Sequence, residues 1–85
     1  TTFKKMKIKT LFFGITTDLV GASQLQIEIE ENTSIKDFKS ALKNLYAQLE
    51  NINSYAIAVN EEYALDDFTL NQGDVVAVIP PVSGG

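Results

Sequence analysis

The spacing of apolar residues changes period twice along this chain, and few folds accommodate that order. In Ser23–Glu30, Leu25, Ile27 and Ile29 alternate with Gln24, Gln26, Glu28 and Glu30, the period-two pattern of a strand with one buried face. From Glu31 to Glu50 the period lengthens, with Ile35, Phe38, Leu42, Leu45, Tyr46 and Leu49 at helical spacing. Thr33 or Ser34 can cap the start, and Asp37 follows Ser34 by three residues, close to a capping box. This predicts a helix of about 15 residues laying one stripe on a sheet. Lys36, Lys39 and Lys43 then form an outward, solvated stripe.

Strand patterns flank this pair. Met6–Phe13 alternates, with Ile8, Thr10 and Phe12 on one face and Lys7, Lys9, Leu11 and Phe13 on the other. Gly14–Gly21 is bounded by glycines and reads as a loop with room for a helical turn. Tyr55–Val59 reads as a short strand, Asn60–Glu62 as a turn and Tyr63–Leu65 as a short edge strand. Asp66–Asp74 is loop and turn. Val75–Pro80 is nearly all apolar and β-branched, as a central strand covered on both faces would be. The order β, β, α, β, short hairpin, β predicts an α+β domain with a mixed sheet of four to five strands and one main helix across one face. The first and last strands are positioned to pair in parallel at its centre, because the helix supplies the crossover.

Composition narrows the function. The 85 residues suffice for one small domain. There is no cysteine and no histidine, which removes the thiolate nucleophile, the thiolate metal site and the commonest general base. A self-contained enzyme would work with carboxylates, lysines, hydroxyls or tyrosines alone, so a binding, carrier or subunit role is favoured. The acidic pairs Glu30–Glu31, Glu61–Glu62 and Asp66–Asp67 lack the ligand spacing of a calcium loop and read as solvated turn acids; no metal site is expected. No Gly-Lys-Ser/Thr follows the glycines, so there is no P-loop. Lys4, Lys5, Lys7 and Lys9 sit at the start, and from Thr10 onward three lysines face eleven acids, a balance of −8. With no arginine and an acidic body, no nucleic-acid partner is expected. No apolar run approaches the ~20 residues that span a bilayer, and no signal peptide is visible. The expectation is a cytoplasmic protein without a membrane partner. Thr1 to Lys5 read as an extension ahead of Met6, residues 6–81 as the domain and 82–85 as a flexible tail.

Two features remain for function. Leu11 and Phe13 point to the face the helix leaves uncovered, and Tyr63 and Ile79 share that face if the strands pair in this way, a patch of the kind that marks a protein interface. The second is the ending, Ile79-Pro80-Pro81-Val82-Ser83-Gly84-Gly85. The prolines fix φ and favour an extended exit. Gly84 and Gly85 carry no side chains and can thread a channel too narrow for any Cβ. At the tip is a bare carboxylate, a poor electrophile that becomes an acyl donor once another enzyme activates it.

These residues resemble the MoaD-type sulfur carriers among the ubiquitin-like β-grasp proteins. The matching blocks are Ile8–Gly14, Asp18–Gly21, Ala58–Asn60 and Leu70–Gly85, with the helix between. The resemblance implies a ubiquitin-like β-grasp fold and a role as the sulfur-carrying small subunit of molybdopterin synthase. A MoeB-like adenylating enzyme would use ATP to activate Gly85, a sulfur donor would convert the adenylate to a thiocarboxylate, and the tail would enter the active site of a MoaE-like large subunit. Gly85 would bear the sulfur, and Gly84 would be the slim residue before it. Leu11, Phe13, Tyr63, Ile79, Pro80, Pro81, Val82 and Ser83 would contact the partners. ATP would be used by the activating partner, with no cofactor bound by this chain, and the synthase would be a heterotetramer with its catalytic residues on the large subunit. Many relatives carry an arginine where this chain has Thr17. The alternatives are a carrier for thiamine thiazole or tRNA thiolation, or a ubiquitin-like protein modifier.

Overall fold

A computed structural model describes residues 5–81. The chain forms β1 (Lys5–Phe12), α1 (Ile15–Val20), β2 (Gln24–Glu30), α2 (Ile35–Leu45), 3-10 turns at Ala47–Leu49 and Ile52–Ser54, β3 (Ala56–Val59), β4 (Glu62–Tyr63) and β5 (Val75–Ile79). The strands make one mixed sheet in the order β2-β1-β5-β3-β4. β1 runs antiparallel to β2 and parallel to β5, and β3 lies antiparallel to both β4 and β5. The parallel pairing of first and last strands is therefore as expected. Lys5, assigned from sequence to the extension, already pairs with Glu30 in β1.

One face of the sheet carries the core. Met6, Ile8 and Phe12 from β1, Ile27 and Ile29 from β2, Ile57 and Val59 from β3 and Val76 and Val78 from β5 are buried. Ile35, Phe38 and Leu42 of α2 close over them, joined by Leu49, Ile52 and Leu70. Leu19 and Val20 of α1 pack against the same cluster. Ser34 caps α2, its hydroxyl accepting from the Asp37 amide at 3.2 Å. The loop before β5 satisfies two more amides of that first turn: Ile35 N–H donates to the Phe68 carbonyl at 2.9 Å, and Lys36 N–H to that of Asp66 at 3.0 Å.

Several expectations are corrected. Gly14–Gly21 is a six-residue helix, with the glycines as its caps rather than loop ends. α2 has 11 residues, because Tyr46 is extended (φ −132°, ψ 95°) and the chain resumes as a 3-10 turn that still buries Leu49. Leu45 lies outside the buried stripe and is 61% exposed. Lys39 is not part of a solvated stripe: it is buried, and its ammonium meets the Asp66 carboxylate at 2.8 Å. Asp66 is correspondingly more than a solvated turn acid. The hairpin strand is Glu62–Tyr63, one residue earlier than expected, because Asn60 and Glu61 alone make the turn, both with positive φ (52° and 72°). Val75–Ile79 is central but covered on one face only: Val76 and Val78 are buried, while Val75, Ala77 and Ile79 are half-buried.

Candidate functional site: the outer sheet face and the exit to the tail

Residues paired directly across neighbouring strands project to the same side of a sheet, so the register fixes what the uncovered face displays. Leu11 of β1 pairs with Ala77, Ala77 with Ala58, and Ala58 with Tyr63. This row crosses four strands and contains no charge. One step further along, Ile79 pairs with Ala56, and Phe13 follows the Phe12–Val78 pair in the same sense. Leu11 and Ile79 are half-buried, Phe13 is 48% exposed and Tyr63 78%. The four apolar residues proposed from sequence thus share one face. A concavity of about 460 Å³ opens on it, lined by Leu11, Phe13, Asn60, Glu61, Val75 and Ala77.

The other half of this face is polar. Lys5, Lys7 and Lys9 of β1 pair across to Glu30, Glu28 and Gln26 of β2. Opposite charges on facing strands make this half self-complementary, although the exposed Lys5–Glu28 contact, at 3.8 Å, adds little stability. The face is therefore divided, charged around β2 and apolar around β5, with the apolar half nearest the point where the chain leaves the sheet.

Two local devices hold that exit and a third secures the opposite end of β5; none was found from sequence. At Gly14 (φ 58°, ψ −137°), a Cβ would stand 3.2 Å from Pro80 Cγ. The missing side chain eases the approach of the end of β1 to Pro80, and the positive φ favours glycine here independently of that contact. Next, the Phe13 N–H donates to Thr16 Oγ1 at 3.0 Å, and the Thr16 hydroxyl donates to the Phe13 carbonyl. Thr17 Oγ1 donates to the Phe12 carbonyl at 3.0 Å. Thr17 thus ties α1 to the end of β1. Third, Asn60 and Asp74 lock the far end of β5. Asn60 Nδ2 donates to Asp74 Oδ1 at 3.0 Å, Val75 N–H to Asn60 Oδ1 at 3.0 Å, and Asn71 N–H to Asp74 Oδ2 at 2.8 Å. Asn60 and Asp74, from two separate sequence blocks, are therefore partners in one network.

Pro80 is half-buried and Pro81 exposed. Val82, Ser83, Gly84 and Gly85 lie outside the described residues. Among the described residues no group of three or more acidic, histidine or cysteine side chains could hold a metal ion, and no helix is long and apolar enough to cross a membrane. What this surface can do chemically is dock a partner and direct a terminus.

Comparison with known proteins agrees with that geometry. The ThiS family matches residues 10–85. The molybdopterin synthase sulfur carrier subunit of Caenorhabditis elegans is 37% identical over 83 residues, covering 94% of this chain and 99% of that protein. A structure from Pyrococcus furiosus, assigned as subunit 1 of molybdopterin converting factor, superposes with a TM-score of 0.82 at 29% identity over 91% of this chain and 99% of its own. A chain from the Helicobacter pylori complex of subunits 1 and 2 of molybdopterin-converting factor matches with a TM-score of 0.66 at 26% identity, covering 94% of this chain and 100% of that one. The fold is the ubiquitin-like β-grasp expected from sequence. The chain belongs to the ThiS family, within which it stands with the molybdopterin synthase sulfur carrier subunits.

Proposed function

We propose that this protein is the sulfur carrier subunit of a molybdopterin synthase. The observation that carries the proposal is the near full-length likeness to the Caenorhabditis elegans carrier, on a fold whose uncovered apolar face runs up to the exit at Pro80. The Gly85 carboxylate attacks the α-phosphorus of ATP in a MoeB-like enzyme, forming an acyl-adenylate and releasing pyrophosphate. A sulfur nucleophile displaces AMP and leaves a thiocarboxylate. The large subunit receives the tail, and the thiocarboxylate sulfur passes to the pyranopterin precursor. This chain contributes the sulfur-bearing atom and the docking face; ATP binds the activating partner, and the catalytic side chains belong to the large subunit. The reaction takes place in the cytoplasm. The absence of histidine and cysteine suits a chain whose reactive group is its own terminus.

The test is the intact mass of the protein after incubation with a MoeB-like enzyme, ATP and a sulfide source. Exchange of one carboxylate oxygen for sulfur is expected, and deletion of Gly85 should abolish transfer while leaving the thermal melt unchanged. An unaltered mass with an enzyme shown to be active on another carrier would refute the proposal. A thiocarboxylate that forms without productive binding to a MoaE-like subunit would favour a carrier for another pathway.

A further inference from the structure

The apolar face does not stop at Tyr63. The β3–β4 pairing sets Ala58 against Tyr63 and Val59 against Glu62. The hydrogen bond from Ala64 N–H to the Ile57 carbonyl, 2.9 Å, carries the same register past the end of β4. Continued by one residue, that register sets Leu65 against Ala56, which pairs with Ile79. The row nearest the tail therefore reads Phe13, Ile79, Ala56, Leu65. With strands about 4.8 Å apart, it spans roughly 14 Å. Leu65 ends the row and is 79% exposed, the most exposed of the large apolar side chains among the described residues.

We propose that Leu65 is a contact residue for the large subunit that receives the tail, forming the far edge of the docking face. The proposal rests on the carrier function above. Ile79 of this row directly precedes Pro80, so a protein that encloses the emerging tail also covers the row. The surroundings define that protein's chemistry: Glu61 lines the concavity on this face, and Asp66 and Asp67 follow Leu65 directly, with Lys39 buried against the Asp66 carboxylate and Lys36 meeting its carbonyl through the backbone. A second copy of this chain would bring acid against acid. The fitting partner offers an apolar centre with a basic margin. Leu65 is also held in place before binding. The Phe68 N–H donates to the Leu65 carbonyl at 3.0 Å, and the neighbouring Asp66 bonds Lys36 through its carbonyl and Lys39 through its carboxylate. The backbone that presents Leu65 is thus ordered before docking, so no loop-ordering cost falls on binding.

Titration calorimetry of the full chain against the cognate MoaE-like subunit tests this. Leu65→Ser is expected to weaken binding about tenfold or more, and Leu65→Met to bind within about twofold of wild type. Leu45→Ser serves as the control. Leu45 is similarly exposed, at 61%, but it sits on α2, on the opposite side of the sheet, so its loss should leave the affinity within about twofold. Melting temperatures of the Leu65 variants should match wild type, which separates docking from folding. If Phe13→Ser weakens binding while Leu65→Ser does not, the assignment of Leu65 is overturned and the carrier function stands. If wild type itself fails to bind the subunit, the proposed function fails, and this assignment with it.

Discussion

The ion pair between Lys39 and Asp66 predicts an asymmetry that equal partners would not show. The Lys39 side chain is 9% exposed and that of Asp66 58%, with 2.8 Å between Nζ and Oδ1. Removing the acid by Asp66→Ala leaves an ammonium among core-facing residues with no anion to balance it. Breaking a fully buried pair in this way costs about 3–5 kcal/mol, and an exposed pair about 0–1. With one partner buried and the other mostly in water, about 2 kcal/mol is expected. Removing the cation by Lys39→Met is different. It leaves a carboxylate that water can solvate, and the new side chain fills the space of the lysine stem in a residue type helices accept, so the cost should stay below about 1 kcal/mol. A domain of this size is stable by roughly 5–10 kcal/mol, so both effects are measurable. Urea is the denaturant to use, because guanidinium would screen the pair. With a slope near 1 kcal/mol/M, Asp66→Ala should lower the midpoint by about 2 M and Lys39→Met by less than about 1 M. Equal losses, or a larger loss for Lys39→Met, would refute the claim that desolvation of the lysine dominates. The same variants bear on function, because Asp66 helps hold the loop that presents Leu65.

Gly14→Ala should destabilise by about 1–3 kcal/mol, from its backbone conformation and from the Pro80 contact together. Pro80→Ala should rescue only the contact part, so chemical denaturation of the double variant should show a coupling of about 0.5–1 kcal/mol; zero coupling would mean that Pro80 does not exclude the Cβ. Thr16→Val keeps the shape of the buried side chain and strands the Phe13 N–H, at about 1–3 kcal/mol. Thr16→Ser loses one buried methyl, about 0.8 kcal/mol, so thermal melts should place Val below Ser, and the reverse order would show that packing, not the hydroxyl, secures the end of β1.

The parts legible in the sequence are those set by local period. Alternation in Met6–Phe13 and Ser23–Glu30 assigned the correct residues to each face, because a strand's two sides are fixed by counting. What stayed hidden depends on partners distant in sequence. Ile15, Thr16 and Thr17 are poor helix formers, yet α1 forms, fastened by two threonine hydroxyls to the carbonyls of Phe12 and Phe13. Lys39 counts as polar in any periodic pattern, and only a residue 27 positions away makes its burial tolerable. The turn at Asn60 and Glu61 lacks the glycine that usually signals two positive φ values. Its cost is offset by Asn60, whose side chain bonds both Asp74 and the amide of Val75. The position of Leu65 on the outer face follows from pairing across three strand boundaries, which no local pattern reports.

The misreading of Val75–Ile79 carries information of its own. An unbroken apolar strand normally means cover on both faces. Here α1, α2 and both 3-10 turns contribute to one core on a single side, and the outward residues of β5 lie between Leu11 and Phe13 on one flank and Ala56 and Ala58 on the other. In a chain of 85 residues, keeping apolar residues where water reaches them favours aggregation unless something else covers them. The charged pairs of the β1–β2 half show that this sheet can present a soluble surface elsewhere. That its apolar half coincides with the two rows leading to Pro80 is accounted for if the second layer of this sheet is another protein, supplied when the tail is received.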